Sequence, residues 1–401
     1  MKSIKDLYRI GSGPSSSHTM GPQYACNWIL KHYPEANSFI VTLHGSLALT
    51  GKGHLTDEII LLTLGRERTE IKLCINEDVK HPNTLDIEAY KDNDLIIKHR
   101  FYSIGGGAIE IEGIPPKLEK EIYPEKSFAE IKELCNKNNW SLVDYVYNYE
   151  GIESTLFLGE VFDVMEAAIK RGLTARGVLP GGLEVQRKAS SLNNEWKTNE
   201  SSESRHTRFV AAFAYATSEE NASGGIIVTA PTCGACGVLP AVLFYLMQRD
   251  HLVKKDIMNA LAVASVIGNV IKSNASISGA FAGCQSEVGS ACSMAAAAAA
   301  YLQGCNIEEI EYAAEIAMEH HLGLTCDPVK GLVQIPCIER NAVAALRALD
   351  SASLAALLKG SRKISFDTVV KTMLETGKDL HNAYKETSIG GLAKHYESKG
   401  C

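Results

Sequence analysis

Three of the eleven cysteines sit where a helical pattern breaks: Gly-Ala-Phe-Ala-Gly-Cys284-Gln-Ser-Glu, Leu-Thr-Cys326-Asp-Pro-Val and Gln-Ile-Pro-Cys337-Ile-Glu-Arg. Gly283, Pro328 and Pro336 hold the chain in non-helical shapes there, which frees amides to hydrogen-bond sulfur. A thiol that merely packs has no reason to prefer such breaks. Three thiolates from three loops can hold an iron–sulfur cluster, although separations of 42 and 11 residues match no compact ferredoxin run. With three thiolates on four irons, one iron keeps an open position and can act as a Lewis acid toward a substrate oxygen. Cys233 and Cys236 form a C-x-x-C without the second pair that zinc prefers or the preceding βαβ of a redox motif, so packing and chemistry both stay open. Cys26, Cys74, Cys135, Cys292 and Cys305 read as small hydrophobes on or beside apolar faces.

The histidines divide in the same way. His54 and His81 lie in Gly- and Pro-marked loops, and an imidazole with a near-neutral pKa suits proton transfer. His18 follows Ser15, Ser16 and Ser17 and precedes Thr19, a run of hydroxyls and consecutive amides able to receive a carboxylate. Ser46, Thr50, Asn269, Lys272 and Asn274 are weaker polar candidates in small-residue surroundings, where buried polar groups need partners. His320 and His321 end a helix and read as structural. Gly105-Gly106-Gly107 lacks the Lys-Ser/Thr of a phosphate loop.

The elements that must position these groups fall into two regions. Phe39–Leu43, Glu70–Ile75 and Leu95–Phe101 read as strands, Gly21–Tyr33 as a helix and Ile59–Leu64 as a short helix or strand, so residues 1–115 form a small α/β domain. Phe128–Cys135, Leu142–Tyr149 and Leu156–Arg171 have helical period, and from His206 onward nearly everything reads as helix with Gly/Pro breaks. Residues 120–401 are therefore a larger helical domain and the class is α+β. Lys188–Arg205 reads as a long mobile loop.

Forty basic against 47 acidic residues, a net charge of −7, argue against a nucleic-acid surface, and 45% apolar with 22% charged residues is ordinary for a globular protein. Two stretches lack charge, 221–248 and 288–307. The first is broken by Pro231, Pro240 and glycines and the second is mostly Ala, so both read as buried segments and not membrane spans. The start of the chain has no apolar signal region, and an odd cysteine count is no disulfide framework, so a cytoplasmic setting is expected. Gly/Ala-rich helices suit a homodimer.

These motifs together resemble the bacterial iron–sulfur-dependent L-serine dehydratases in their single-chain form. The resemblance is carried by Gly11-Ser-Gly-Pro-Ser-Ser-Ser-His18-Thr-Met-Gly-Pro, Gly45-Ser-Leu-Ala-Leu-Thr-Gly-Lys-Gly-His54-Leu-Thr-Asp, His81-Pro-Asn-Thr and Tyr102-Ser-Ile-Gly-Gly-Gly107 in the first half. In the second half it is carried by Pro180-Gly-Gly-Leu-Glu-Val-Gln-Arg187, Ile267-Gly-Asn-Val-Ile-Lys272-Ser-Asn274, the three loop cysteines and Glu386-Thr-Ser-Ile-Gly-Gly-Leu. It implies deamination of L-serine to pyruvate and ammonia by β-elimination of water. It also implies a [4Fe–4S] cluster on Cys284, Cys326 and Cys337, no pyridoxal phosphate, and a first domain like the allosteric substrate-binding domain of phosphoglycerate dehydrogenases. His54 and His81 become the acid–base candidates. Ser15, Ser16, Ser17, His18, Thr19, Ser46 and Asn274 become the substrate contacts. Family members ending in Cys suggest that Cys401 occupies the open iron in the resting enzyme. Departures are Cys233 and Cys236, where members often carry Asn and Ala, Leu55 in place of a Gly, and a shorter N-terminal half. An L-cysteine desulfidase or L-threonine dehydratase would use the same scaffold. A pyridoxal-phosphate lyase using Lys272 and a non-enzymatic iron sensor are more distant rivals.

Overall fold

The computed structural model describes residues 1–75, 79–115, 121–194, 199–359 and 362–396. The chain divides into two compact units, Gly11–Glu119 and Met1–Ile10 with Lys120–Cys401. A three-residue strand, β1 (Ile10–Ser12), lies at the junction in sequence.

The smaller unit is built on a five-stranded sheet of β2 (Ser38–His44), β3 (Thr69–Cys74), β4 (Thr84–Lys91), β5 (Asp94–Gly105) and β6 (Ala108–Ile111), in the order β3-β2-β4-β5-β6. Only β2 and β3 run parallel; the other pairs are antiparallel. Alternate residues of each strand face one way, so Phe39, Val41 and Leu43 of β2 join Leu85, Ile87 and Ala89 of β4 on one buried face. Helices α1 (Gly21–His32) and α3 (Thr56–Leu64) cover that face with Ala25, Cys26, Ile29, Ile59, Ile60 and Leu64. The opposite face of β4 buries Asp86, which Arg100 holds through two bonds of 2.7 and 2.8 Å and His44 meets at 3.1 Å. Burial opposes ionisation of Asp86, but Arg100 and His44 outweigh it and keep its carboxyl below the usual range. A short helix, α2 (Gly45–Thr50), follows β2 directly.

The larger unit is helical: α4 (Phe128–Asn138), α5 (Leu142–Glu150), α6 (Ser154–Thr174), α7 (Ala189–Asn194), α8 (Ser202–Ala222), α9 (Val238–Arg249), α10 (Lys254–Asn274), α11 (Gly279–Ala282), α12 (Ser290–Leu302), α13 (Ile307–Glu319), α14 (Cys337–Leu358), α15 (Phe366–Asp379) and α16 (Gly391–His395), with one short strand, β7 (Ile226–Val228). At the centre is the Ala-rich α12, buried from Ser290 to Ala300 and surrounded by α9, α10, α13 and α14. Small side chains let four neighbouring helices approach it closely. Because α12 is consumed inside the unit, its small residues serve internal packing and offer no surface to a second copy. The first residues also belong here: the Tyr8 hydroxyl donates to the Leu261 carbonyl at 2.9 Å, and Lys272 Nζ donates to the Asp6 carbonyl at 2.9 Å.

Most helices and the strands β2, β3 and β5 lie where the periodicity puts them, and Ile59–Leu64 resolves as helix. β4, β6 and β7 are not among the strands expected from the sequence, although β4 alternates at period 2. Lys188–Arg205 is not a loop, since α7 and the start of α8 occupy much of it. The cause is tertiary: the buried Glu219 carboxylate accepts the amides of Lys188 and Ala189 and so caps α7 from a distance. The uncharged 221–248 stretch is divided between β7, a loop and α9. Among the described residues one helix, α14, is long and apolar enough to cross a membrane; it packs on α8, α12 and α13.

Close backbone approach makes one glycine indispensable. A Cβ on Gly172 of α6 would lie 2.2 Å from the Ala216 carbonyl oxygen of α8, and backbone cannot turn aside as a side chain can. Gly172→Ala should lower stability by about 1–3 kcal/mol, seen as a lower urea midpoint with an unchanged denaturant slope.

Candidate active site

In the helical unit, three chain breaks carry the loop cysteines, and the sulfurs of Cys284 and Cys326 come close together while Cys337 lies outside that closest group. Cys284 begins the turn between α11 and α12, directly after Gly283. Gly283 has φ +76°, and a Cβ there would meet the Leu324 carbonyl oxygen at 2.6 Å, so only glycine serves. Buried Gln285 clamps this turn: its Oε1 accepts from the Gly323 amide and the Thr376 hydroxyl, both at 3.0 Å, and its Nε2 donates to the Ala282 carbonyl. Cys326 is held by its backbone, its amide donating to Tyr384 at 2.8 Å and its carbonyl accepting from Glu386 at 2.7 Å. Cys337 opens α14. One turn on, buried Asn341 donates to the carbonyls of Cys337 and Gly234, both at 2.8 Å, and accepts the Gly237 amide at 2.9 Å. That side chain ties the Cys233–Cys236 loop to the Cys337 helix. Cys233 and Cys236 are themselves buried.

The Cys284 and Cys326 sulfurs and a carboxylate oxygen of Glu287 lie within 4.8 Å of one another. Glu287 is half-buried and accepts from the Thr232 hydroxyl at 2.7 Å. Its neighbour Glu386 is pushed up to about 8 by burial and by the Glu287 charge. A hydrogen bond with Cys284, burial, and the negative charges of Cys284, Glu386 and Glu287 push the Cys326 thiol far up; burial and Cys284 do the same to Cys337, with Arg340 opposing. Three buried thiols and two carboxylates with one guanidinium among them are short of positive charge. Such a donor set fits a thiolate-bound metal group, which supplies that charge. Cys401 lies outside the described residues. Glu287, Thr232, Arg340, Asn341 and Glu386 do not stand out in the sequence as site residues. Three of these stand at helical spacing from a cysteine, Glu287 three residues after Cys284 and Arg340 and Asn341 three and four after Cys337, and that spacing could have found them.

In the smaller unit the histidines and hydroxyls also converge. His18 Nδ1 meets the Ser17 hydroxyl and its Nε2 the Ser46 hydroxyl, both at 2.9 Å, so both ring nitrogens are engaged. The His54 ring lies 4.5 Å from the His18 ring. Ser15 Oγ accepts the His18 amide, Ser16 is buried in the same turn, and Thr19 Oγ1 donates to the His54 carbonyl at 2.7 Å. The Ser46 amide donates to the Pro82 carbonyl at 2.7 Å, which seats the His81 loop against α2. The hydroxyls expected to receive substrate therefore also fix the two imidazoles. Asn274 lies in the other unit, its Nδ2 donating to the Lys126 and Val270 carbonyls at 2.7 and 2.9 Å.

Hydrogen bonding assigns the two candidate bases different tautomers. His54 Nδ1 faces the Thr50 carbonyl at 3.2 Å, so it carries the proton, and Nε2 is left as a buried lone pair with no partner among the described residues. His81 Nδ1 accepts the Asn83 amide at 3.1 Å, so in the neutral ring Nε2 carries the proton. Burial pushes His54 down to about 4, His18 further below the ordinary value, and His81 down as well. Leu55 has φ +54° immediately after His54, a left-handed conformation that costs a Leu about 1–2 kcal/mol. The chain holds that strain beside a candidate base.

A family model described as serine dehydratase beta chain matches residues 3–73, and one described as serine dehydratase alpha chain matches residues 71–393. L-serine dehydratase 1 and L-serine dehydratase 2 of Escherichia coli (strain K12) are 39% and 40% identical to the chain. The alignments cover 98% of this chain in both cases and 99% and 98% of the relatives. An L-serine dehydratase of Streptomyces coelicolor is 39% identical over 98% of each chain. The first alignment spans 448 positions against 401 residues here, so that relative carries residues this chain lacks.

The depressed imidazoles set the direction of a pH dependence. Below the unfolded value of about 6.5 the unfolded chain binds a proton that folded His54 refuses until about pH 4. Stability should therefore be full above pH 6.5 and fall as pH drops toward 4, by on the order of 3 kcal/mol for His54 alone. Denaturant titrations of wild type and His54→Gln across that window check it; the variant should lose the slope that this histidine contributes.

Proposed function

The chain belongs to the serine dehydratase family as a single-chain bacterial L-serine dehydratase, and from that premise we propose how it deaminates L-serine to pyruvate and ammonia. The observation that carries the proposal is the gathering of buried thiols and carboxylates short of positive charge. Cys284, Cys326 and Cys337 would hold a [4Fe–4S] cluster, and no pyridoxal phosphate is involved. When bound, the cluster supplies an electrophilic iron for the β-hydroxyl, a poor leaving group on its own.

The remaining work belongs to side chains. The α-proton of serine is weakly acidic and needs a positioned base. His54 is assigned that role because its Nε2 lone pair is free and its Nδ1 proton is held by Thr50. His81, protonated at Nε2 when neutral, is assigned the donor role. His18, bonded at both nitrogens, keeps the His54 ring in place, and the Ser15–Thr19 turn with Ser46 is assigned to the substrate carboxylate. Asn274 is retained as a weaker substrate contact. Lys272 spends a donor on the Asp6 carbonyl, unlike the free amine that a Schiff base requires. Cys401 is assigned to the open iron position of the resting enzyme on the strength of the resemblance.

Replacing Cys284, Cys326 or Cys337 with Ser should remove iron and activity together in anaerobically purified protein; a full cluster in any of the three variants removes that cysteine from the set. His54→Ala should lower kcat by about 10²–10⁴-fold with iron content unchanged. His81→Ala should also lower kcat, but without abolishing exchange of the α-proton with solvent, read by deuterium incorporation into recovered serine.

A further inference from the structure

The five-stranded sheet of the smaller unit ends on β3 and β6, and each of these has a strand on one side only among the described residues. β3 runs parallel to β2, with Thr69 beside Phe39, Ile71 beside Val41 and Leu73 beside Leu43. Residues in register share a face, so Thr69, Ile71 and Leu73 lie on the helix-covered face, and Glu70 and Lys72 on the other. Among the described residues Thr69–Leu73 make no backbone hydrogen bond except to β2, so the outer row of peptide groups is unused. Leu73 is 51% exposed although its face carries the core. An unpaired edge with an exposed apolar residue is a template for another strand.

Charge decides which strand fits. A lysine on an edge ordinarily opposes self-pairing, but Lys72 has Glu70 two residues before it. When a second β3 lies antiparallel with Ile71 opposite Ile71, Glu70 of each copy faces Lys72 of the other, and Thr69 faces Leu73. A twofold axis perpendicular to the sheet needs a residue at its centre, because residues directly opposite point to the same side. Centring on Glu70 would set Glu70 against Glu70, and centring on Lys72 would set Lys72 against Lys72. Ile71 is the centre that makes every charge meet its opposite and keeps the apolar face continuous. Within one chain Glu70 and Lys72 lie 3.7 Å apart and are 61% and 50% exposed, a weak surface pair that is easily exchanged for a partner across the axis. The other edge has no such complement, since Glu110 is the only charged residue of β6.

We propose that two copies of the chain associate through β3, antiparallel about a twofold axis at Ile71, so that the two five-stranded sheets become one. Two reciprocal Glu70–Lys72 pairs lie on one face of the seam and Thr69, Ile71 and Leu73 on the other. The pairing does not depend on which residues hold a metal group.

Sedimentation velocity on the anaerobically purified full chain tests this. Wild type should sediment as a dimer at micromolar concentration. Glu70→Lys sets lysine against Lys72, and Lys72→Glu sets glutamate against Glu70, each at both symmetry-related positions. Either variant alone should therefore self-associate roughly 10- to 100-fold more weakly. An equimolar mixture of the two variants should regain the dimer, because every lysine then meets a glutamate across the axis. Recovery in the mixture also separates lost pairing from misfolding, since a misfolded chain would not find a partner. A monomeric wild type, a single variant that dimerises as tightly as wild type, or a mixture that stays monomeric would each overturn the proposal.

Discussion

Three chain breaks must meet inside a helical core without leaving peptide groups unpaired, and two buried amide side chains make that possible. Gln285 satisfies the turn that carries Cys284 and joins it to the Cys326 loop and to α15. Asn341 satisfies the end of α9's loop and the first turn of α14 at once. Each side chain uses both its donor and its acceptor groups, which in a low-dielectric interior is the condition for a buried polar network to stabilise and not to cost. The sulfur positions follow from these two residues more directly than from the cysteines themselves.

The surrounding helices can come this close because α12 is made of small residues. A helix of Ala and Ser buries little area per residue, so its packing contribution comes from proximity; elsewhere in the same unit α6 and α8 approach backbone to backbone at Gly172 and Ala216. The same tightness brings the backbone of Gly234 and Gly279 against the half-buried Glu287 carboxylate.

In the smaller unit the backbone decides the chemistry of the imidazoles. A carbonyl at Thr50 and an amide at Asn83 fix opposite tautomers on His54 and His81, and burial keeps both neutral at physiological pH. Two histidines that read alike in sequence are a lone-pair acceptor and a donor in the fold. β4 illustrates a different miss. Thr84-Leu-Asp-Ile-Glu-Ala-Tyr alternates at period 2, but Asp86 and Glu88 on its second face look like solvent-exposed residues until Arg100 and Lys98 are found opposite them.

Sequence alone determined what short range controls. Helix period, β-branched runs and Gly/Pro breaks located most elements, the three loop cysteines and the α+β class, because each depends on residues a few positions apart. The motifs of both halves taken together, from Gly11–Pro22 to Glu386–Leu392 with the three loop cysteines, pointed to the family. Tertiary structure decided whatever depends on partners far along the chain. Glu219 turned an apparent loop into α7, Thr50 and Asn83 gave His54 and His81 opposite tautomers, and Glu287 met Thr232 and Cys326, 55 and 39 residues away. A side chain's protonation and reach are set by what surrounds it in space, and local sequence carries no record of which distant groups those will be.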